Sequence, residues 1–337
     1  MNAKQRVFSG IRPTGEVHLG NYFGALRNWV DIVDKYDCIY AVVDYHALTT
    51  PFDPREMPQQ VFNTMASLMA IGLSPDRCSL IVQSDVPEHA ELAWVLSCIA
   101  PLGQMERMTQ FKEKAQQDPE NINLGLLAYP ALMSADILIY QAEVVPVGDD
   151  QVQHLELARD LARKFNNLYG EKLPEPEYML TPTPRITGLD GKRKMSKSLG
   201  NHISLFEEPD SLRKKMMSAV TDENRKRRSD PGNPDICNIY ALHNIFSEQE
   251  TIDHVNQECR VAGIGCVDCK KMLLNNLEPF IEPYRNRYQE LQTNTGEVYD
   301  AMAAGAERCR PIAQETVQNV KDCLGIGGNT RKPADKT

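Results

Sequence analysis

Four short β-branched runs, each followed by residues at helical spacing, set the tightest limit on what this 337-residue chain can fold into. Arg6–Ser9, Cys38–Val43, Ser79–Val82 and Val144–Val147 read as strands. After the first, apolar side chains fall at Leu19, Phe23, Leu26, Val30 and Val33, alternate steps of four and three that put them on one helical face. After the fourth, Val152, Leu155, Ala158, Leu161 and Phe165 repeat the pattern. Strands that alternate with helices in this way build βαβ units and a parallel sheet. The expected fold class is therefore α/β, a Rossmann-like doubly wound parallel sheet.

Between Leu173 and Pro184 the chain turns proline-rich, and beyond Gly200 strand signals fade while helical periods run on to Leu324. The spacing predicts a Rossmann-like domain over 1–190, with a helical insertion at about 100–140, and a C-terminal α-helical domain over 191–330. The polar residues 331–337 are expected to be a disordered tail. The formal charge is −9, which excludes a uniformly basic surface for nucleic acid. Residues 185–228 are the exception, with twelve Lys or Arg against six acids. No apolar run reaches the ~18 residues of a membrane helix. The first residues also lack a signal-peptide core, so a cytoplasmic protein without membrane contact is expected. Nine cysteines, an odd number, with Cys38, Cys78 and Cys98 in core-like segments, argue against a disulfide framework.

Two motifs carry chemistry. The loop Gly10–Gly15 leads from the first strand into His18-Leu19-Gly20-Asn21, which opens a helix. Such a turn offers backbone N–H groups and the positive end of a helix dipole at the sheet edge where doubly wound folds bind nucleotides. Gly20 lets a nucleoside lie against the backbone, and His18 and Asn21 offer neutral hydrogen-bonding groups. The second motif is Lys194-Met195-Ser196-Lys197-Ser198, flanked by Gly191 and Gly200. Two ammonium groups on a glycine-flanked loop can reach a polyphosphate, and the serine hydroxyls can add hydrogen bonds. Taken alone, the first motif also fits an ordinary helix start and the second a basic linker.

In this order the pair resembles the signature of class I aminoacyl-tRNA synthetases, whose HIGH-like tetrapeptide and KMSKS loop bracket ATP. Phe8–Ile11, Val43–Ala47, Glu106–Lys112, Leu132–Leu138 and Val145–Gln151 extend the resemblance to the bacterial tryptophanyl-tRNA synthetases over residues 6–325. The resemblance implies a tryptophan–tRNA ligase that forms tryptophanyl-adenylate from L-tryptophan and ATP and then loads the 3′ end of tRNA(Trp). The helical domain would read the anticodon, and two copies would form a homodimer. For ATP the resemblance carries over Arg12, Pro13, Thr14, Gly20, Asn21, Gly148, Asp149, Asp150, Ile186, Lys194, Met195, Ser196, Lys197 and Ser198. Lys194 and Lys197 with Mg2+ would stabilise the leaving pyrophosphate, with Ser198, His18 and Asn21 alongside. Arg12 and Asp149 depart from the Gln and Glu of many relatives.

Indole presents a large apolar body and one N–H donor, so its pocket needs apolar walls and a single placed acceptor. Met133 and Asp136 share a helical face with Tyr129 one turn earlier. Asp136 is the expected acceptor, with Met133, Phe8, Val145 and Val147 as walls; a partner for a neighbouring Arg is the other reading. Sister tyrosyl enzymes carry Tyr at the position of Phe8, where its hydroxyl meets the substrate phenol. By the same resemblance Gly10, His46, Gln110 and Gln151 line the tryptophan site.

Cys237, Cys259, Cys266 and Cys269 are separated by 21, 6 and 2 residues, and four thiolates suit zinc or an iron–sulfur centre. A subset of the bacterial family with nearly the same spacing holds a 4Fe-4S cluster, which the resemblance implies here. Zinc and four unliganded thiols remain as alternatives. Arg225-Lys226-Arg227-Arg228 is equally a solvated loop or a contact for tRNA phosphates.

Overall fold

The computed structural model describes residues 4–148, 151–180 and 186–327. Asp149, Asp150 and the expected tail at 331–337 lie outside the described residues. In chain order the elements are β1 (Arg6–Ile11), α1 (Leu19–Asn21), a π-helical turn (Tyr22–Leu26), α2 (Arg27–Ile32), β2 (Asp37–Val42), α3 (Asp44–Ala47), α4 (Met57–Ala70) and β3 (Ser79–Val82). There follow α5 (Glu88–Ile99), α6 (Leu102–Glu106), α7 (Thr109–Gln117), α8 (Leu124–Leu138), β4 (Val144–Val147), α9 (Val152–Tyr169) and β5 (Glu177–Leu180). The rest is helical: α10 (Pro209–Ser218), α11 (Asn238–Phe246), α12 (Gln249–Arg260), α13 (Cys266–Thr293) and α14 (Thr295–Leu324).

All five strands pair in parallel in the order β3-β2-β1-β4-β5, with Phe8 opposite Ile39, Val7 opposite Val144 and Val145 opposite Tyr178. This is the doubly wound sheet expected from the sequence. Strands β3 and β4 are buried at every position, because helices cover both faces of a parallel sheet. The sequence reading missed β5. Its Glu-Tyr-Met-Leu has no buried position and pairs only with β4, so an edge strand without apolar alternation left little signal. The single helix expected from Leu19 to Val33 is instead three segments around the π-helical turn. Such a turn admits one extra residue per ring, and Tyr22, Phe23 and Leu26 are nevertheless buried.

The chain forms two compact units, one of residues 1–15, 28–182 and 295–337, the other of 16–27 and 183–294. The first is the sheet unit. Helices α6, α7 and α8 lie within this unit, between Leu102 and Leu138. The last helix differs from the expectation of a helical domain running to 330, since α14 packs against β3 and α5 and buries Ala306, Cys309, Ala313, Val317 and Val320 in the sheet unit's core. A long amphipathic helix buries its apolar face wherever a complementary surface exists, which local spacing cannot specify. The second unit is built on α11 and α13, with Ile239, Leu242, Leu273, Leu277 and Ile281 buried. Among the described residues no helix is long and apolar enough to cross a membrane.

Candidate functional site

In the second unit, His18 caps α1. Its Nδ1 accepts from the Asn21 N–H at 3.3 Å, and Asn21 Oδ1 accepts from the His18 N–H at 3.3 Å, a reciprocal box that satisfies two otherwise orphaned donors. The turn is held to the chain beyond the lysine loop: the Leu19 N–H donates to Ile203 O at 3.0 Å and the Leu205 N–H to Val17 O at 2.9 Å. Met195 is buried, and a β-carbon at Gly20 would stand 2.9 Å from His18 Cε1 and 3.2 Å from Met195 Cβ. Glycine is therefore required where the two expected motifs meet.

The loop itself is fastened at several points. The Met195 N–H donates to Ile186 O at 3.1 Å and the Ser196 N–H to Asn201 Oδ1 at 2.8 Å. The Asn201 amide donates to Asp190 Oδ2 at 3.0 Å. Ser196 Oγ and Ser198 Oγ lie 2.9 Å apart, and Gly191 and Gly200 turn the chain at φ +69° and +63°. Burial lowers the pKa of Lys197, against the pull of Glu16. Burial, reinforced by His202, Lys197 and Lys194, brings the His18 pKa down to about 4. His18 is thus neutral near pH 7. With Nδ1 occupied as an acceptor, its Nε2 carries the proton and can donate. Cations beside a neutral donor at a helix start can hold a phosphate.

In the sheet unit, the expected acceptor Asp136 sits on α8 at 2% exposure. Its Oδ2 is 2.8 Å from His46 Nε2, and its Oδ1 accepts from Gln83 Nε2 at 2.6 Å and lies 2.7 Å from His89 Nδ1. No arginine contacts it among these bonds; its partners are two histidines and Gln83. Burial alone would raise the Asp136 pKa, but the hydrogen bonds and fields of His46 and His89 hold it below the ordinary value, so the carboxylate is ionised. Of the expected walls, Phe8, Val145 and Val147 are buried and Met133 packs at the edge of the same core; Tyr129, on the same helical face, is buried as well. Phe8 stacks on Tyr140 with centroids 5.6 Å apart. Tyr129 meets His46 edge-on at 6.3 Å and bonds His154 Nε2 through its hydroxyl at 2.6 Å. At Gly10 a β-carbon would fall 2.7 Å from Val43 Cγ1. Gln110 and Gln151 are half-buried at the starts of α7 and α9.

Arg12, Pro13 and Thr14 line a cleft of the same unit with Ala47, Thr50 and Phe52. Arg12 donates to Thr50 Oγ1 at 2.7 Å while its buried Nε has no partner. Lys114, 4.8 Å above the Tyr129 ring, has its pKa lowered by burial and then by Arg12. Gly148 directly follows β4, in the same unit. The sequence reading missed Gln83, His89 and Tyr140. A signal existed for one of them, since His89, Leu92, Leu96 and Ile99 share the buried face of α5, where an unpartnered imidazole would be costly.

The expected metal set needs correction in one respect. Among the described residues, no group of three or more His, Cys, Asp or Glu is arranged to hold a metal ion, so the arrangement of Cys237, Cys259, Cys266 and Cys269 does not support the expected 4Fe-4S cluster, nor the zinc alternative. They are neighbours all the same. Arg225 Nη1 donates to both Cys259 Sγ, at 3.8 Å, and Cys266 Sγ, at 3.9 Å. Burial, then the other three thiols, push Cys269 up to about 12. Arg225 and Arg228 also bond the carbonyls of Ile264 and Gly263. Both arginines are thus hydrogen-bonded to the fold, Arg225 half-buried and Arg228 at the exposed surface.

A family profile for class I tRNA synthetases (W and Y) matches residues 1–282. The tryptophan–tRNA ligase of Deinococcus radiodurans is 48% identical over 326 residues, covering 95% of this chain and 98% of the relative. That of Wolinella succinogenes is 45% identical over 330 residues, covering 96% and 99%. Among solved structures, the Campylobacter jejuni tryptophanyl-tRNA synthetase in complex with ADP and tryptophan superposes with a TM-score of 0.87 at 34% identity, covering 96% of this chain and all of that one.

Proposed function

The chain belongs to the class I tRNA synthetases of the tryptophan and tyrosine group, and from that premise we propose how its residues perform the reaction. It is an ATP-dependent ligase that activates L-tryptophan to tryptophanyl-adenylate and pyrophosphate, then transfers tryptophan to the 3′ end of tRNA(Trp). The tryptophan carboxylate supplies the nucleophile, so the protein needs no catalytic Ser or Cys. Its task is placement and charge stabilisation at the departing pyrophosphate. Lys194 and Lys197 take that charge, and Mg2+, when bound, would supply further neutralisation. Ser196 and Ser198 add hydroxyl donors, and Met195 anchors the loop through its N–H bond to the Ile186 carbonyl. Gly20 leaves room for the nucleoside, and neutral His18 donates through Nε2 beside Asn21. Arg12, Pro13, Thr14 and Gly148 are further ATP contacts, together with Asp149 and Asp150.

The observation that carries the choice of amino acid is the buried, ionised Asp136 among apolar walls, an acceptor without a competing donor of its own. Indole N–H fits it. Phe8 offers no group to a phenol at the strand position, and an unpaired buried hydroxyl costs about 1–3 kcal/mol. Amino-acid-dependent pyrophosphate exchange tests this reading: tryptophan should support exchange at least about 10²-fold better than tyrosine. Equal exchange with both would overturn it.

A homodimer in the cytoplasm completes the proposal, checked by the mass in solution. So does a 4Fe-4S cluster on Cys237, Cys259, Cys266 and Cys269, for which the cysteine spacing and the Arg225 cation beside Cys259 and Cys266 speak, although the four thiols would have to draw together to hold it. Such a cluster would supply a covalent staple between α12 and α13, not a step of the reaction. Visible absorbance of anaerobically purified protein tests it, and colourless, iron-free protein would remove it.

A further inference from the structure

His89 and Tyr140 are buried polar groups outside the set assigned above, and both lie behind Asp136. The Tyr140 hydroxyl is 2.6 Å from His89 Nε2, and His89 Nδ1 is 2.7 Å from Asp136 Oδ1. His89 and Tyr140 are each 0% exposed. We propose that His89, its tautomer set by Tyr140, is a positioning residue for tryptophan, holding the Asp136 carboxylate so that one acceptor position on Oδ2 stays open to the indole N–H. The proposal rests on the reading of Asp136 as the indole acceptor.

A phenol must donate to one neighbour when buried, and the neighbour here is Nε2. That bond leaves the proton on Nδ1, which then donates to Asp136 Oδ1. An ionised carboxylate has about four acceptor positions. Gln83 and His89 take two on Oδ1, and His46 takes one on Oδ2. Among the described residues one remains, on Oδ2. Turning the carboxylate about its Cβ–Cγ bond would break three bonds to donors at 2.6–2.8 Å, so the open position is fixed in direction. Gln83 is itself held, since its Oε1 accepts from the Tyr45 N–H at 3.1 Å. The chain of bonds thus converts a carboxylate that could accept from any side into one that accepts from a single direction.

A purely structural network would weaken every amino acid equally when damaged, whereas a positioning role acts only on ligands that carry the N–H. The test compares tryptophan with β-(3-benzothienyl)alanine, in which sulfur replaces the indole N–H, by pyrophosphate exchange in wild type, Tyr140→Phe, His89→Leu and His89→Asn. In His89→Leu the KM for tryptophan should rise about tenfold or more while that for the thienyl analogue changes less than about twofold. Tyr140→Phe, the variant least disturbing to packing, should shift the same ratio by a smaller factor. His89→Asn, which keeps a donor near Nδ1, should recover part of it. Equal increases for both amino acids in Tyr140→Phe and His89→Leu would overturn the proposal. A wild-type enzyme that does not distinguish the two would instead overturn the assignment of Asp136.

Discussion

The backbone of Gly305 in α14 lies so close to the Leu80 carbonyl of β3 that no β-carbon fits between them. Leu80 is central to a strand buried along its whole length, so neither partner can retreat cheaply.

For Gly305→Ala, helix propensity alone would give about 1 kcal/mol of stabilisation. The packing term has the opposite sign and is larger, because a methyl against a fixed backbone carbonyl forces the helix off the sheet, at about 1–3 kcal/mol or more. A net loss of stability is expected, visible as a lower urea midpoint. A higher midpoint would mean that α14 docks elsewhere.

Lys197 lies on a loop fixed by Asn201 and Asp190, and its ammonium is partly desolvated. Lys197→Ala should slow adenylate formation by about 10²-fold, because the charge it meets develops as pyrophosphate leaves. The affinity for tryptophan should be nearly unchanged. Single-turnover kinetics with equilibrium binding of tryptophan separate the two effects.

Asp136→Asn keeps shape but presents an amide donor to three donors. The mismatch should cost about 3 kcal/mol of stability, and the KM for tryptophan should rise by at least about tenfold. Thermal unfolding and pyrophosphate exchange read these out. Unaltered tryptophan binding would show that indole finds its acceptor at another residue.

His18 has a folded-state pKa of about 4 against an ordinary 6.5, lowered first by burial. Between those values the unfolded chain binds a proton that the folded chain refuses, so stability falls as the pH drops from about 6.5 to 4 and is flat, for this group, above 6.5. The slope from one such group is at most about 1.4 kcal/mol per pH unit. Urea midpoints of wild type and His18→Asn across pH 4.5–7.5 should converge as the pH falls. Parallel curves would mean that His18 is protonated equally in both states.

Much of the fold was legible from local spacing. Strands β3 and β4 were readable to their end residues because a strand buried on both faces must be apolar throughout, whereas β5, open along an edge, carried no such mark. His18–Asn21 and Lys194–Ser198 were readable as motifs because glycine and cation placement is a property of the loop itself.

The sequence by itself determined the parallel α/β class, the helix start at His18, the glycine-flanked lysine loop, and an acid on the same helical face as Met133. Only the tertiary structure decided that this acid is held by His46, Gln83 and His89, residues 90, 53 and 47 positions away, and that α14 returns to the sheet unit. The reason is physical. Helical and strand periods report which face of an element is buried, but which groups meet there depends on packing between distant segments, where hydrogen-bond satisfaction and steric fit at single atoms make the choice.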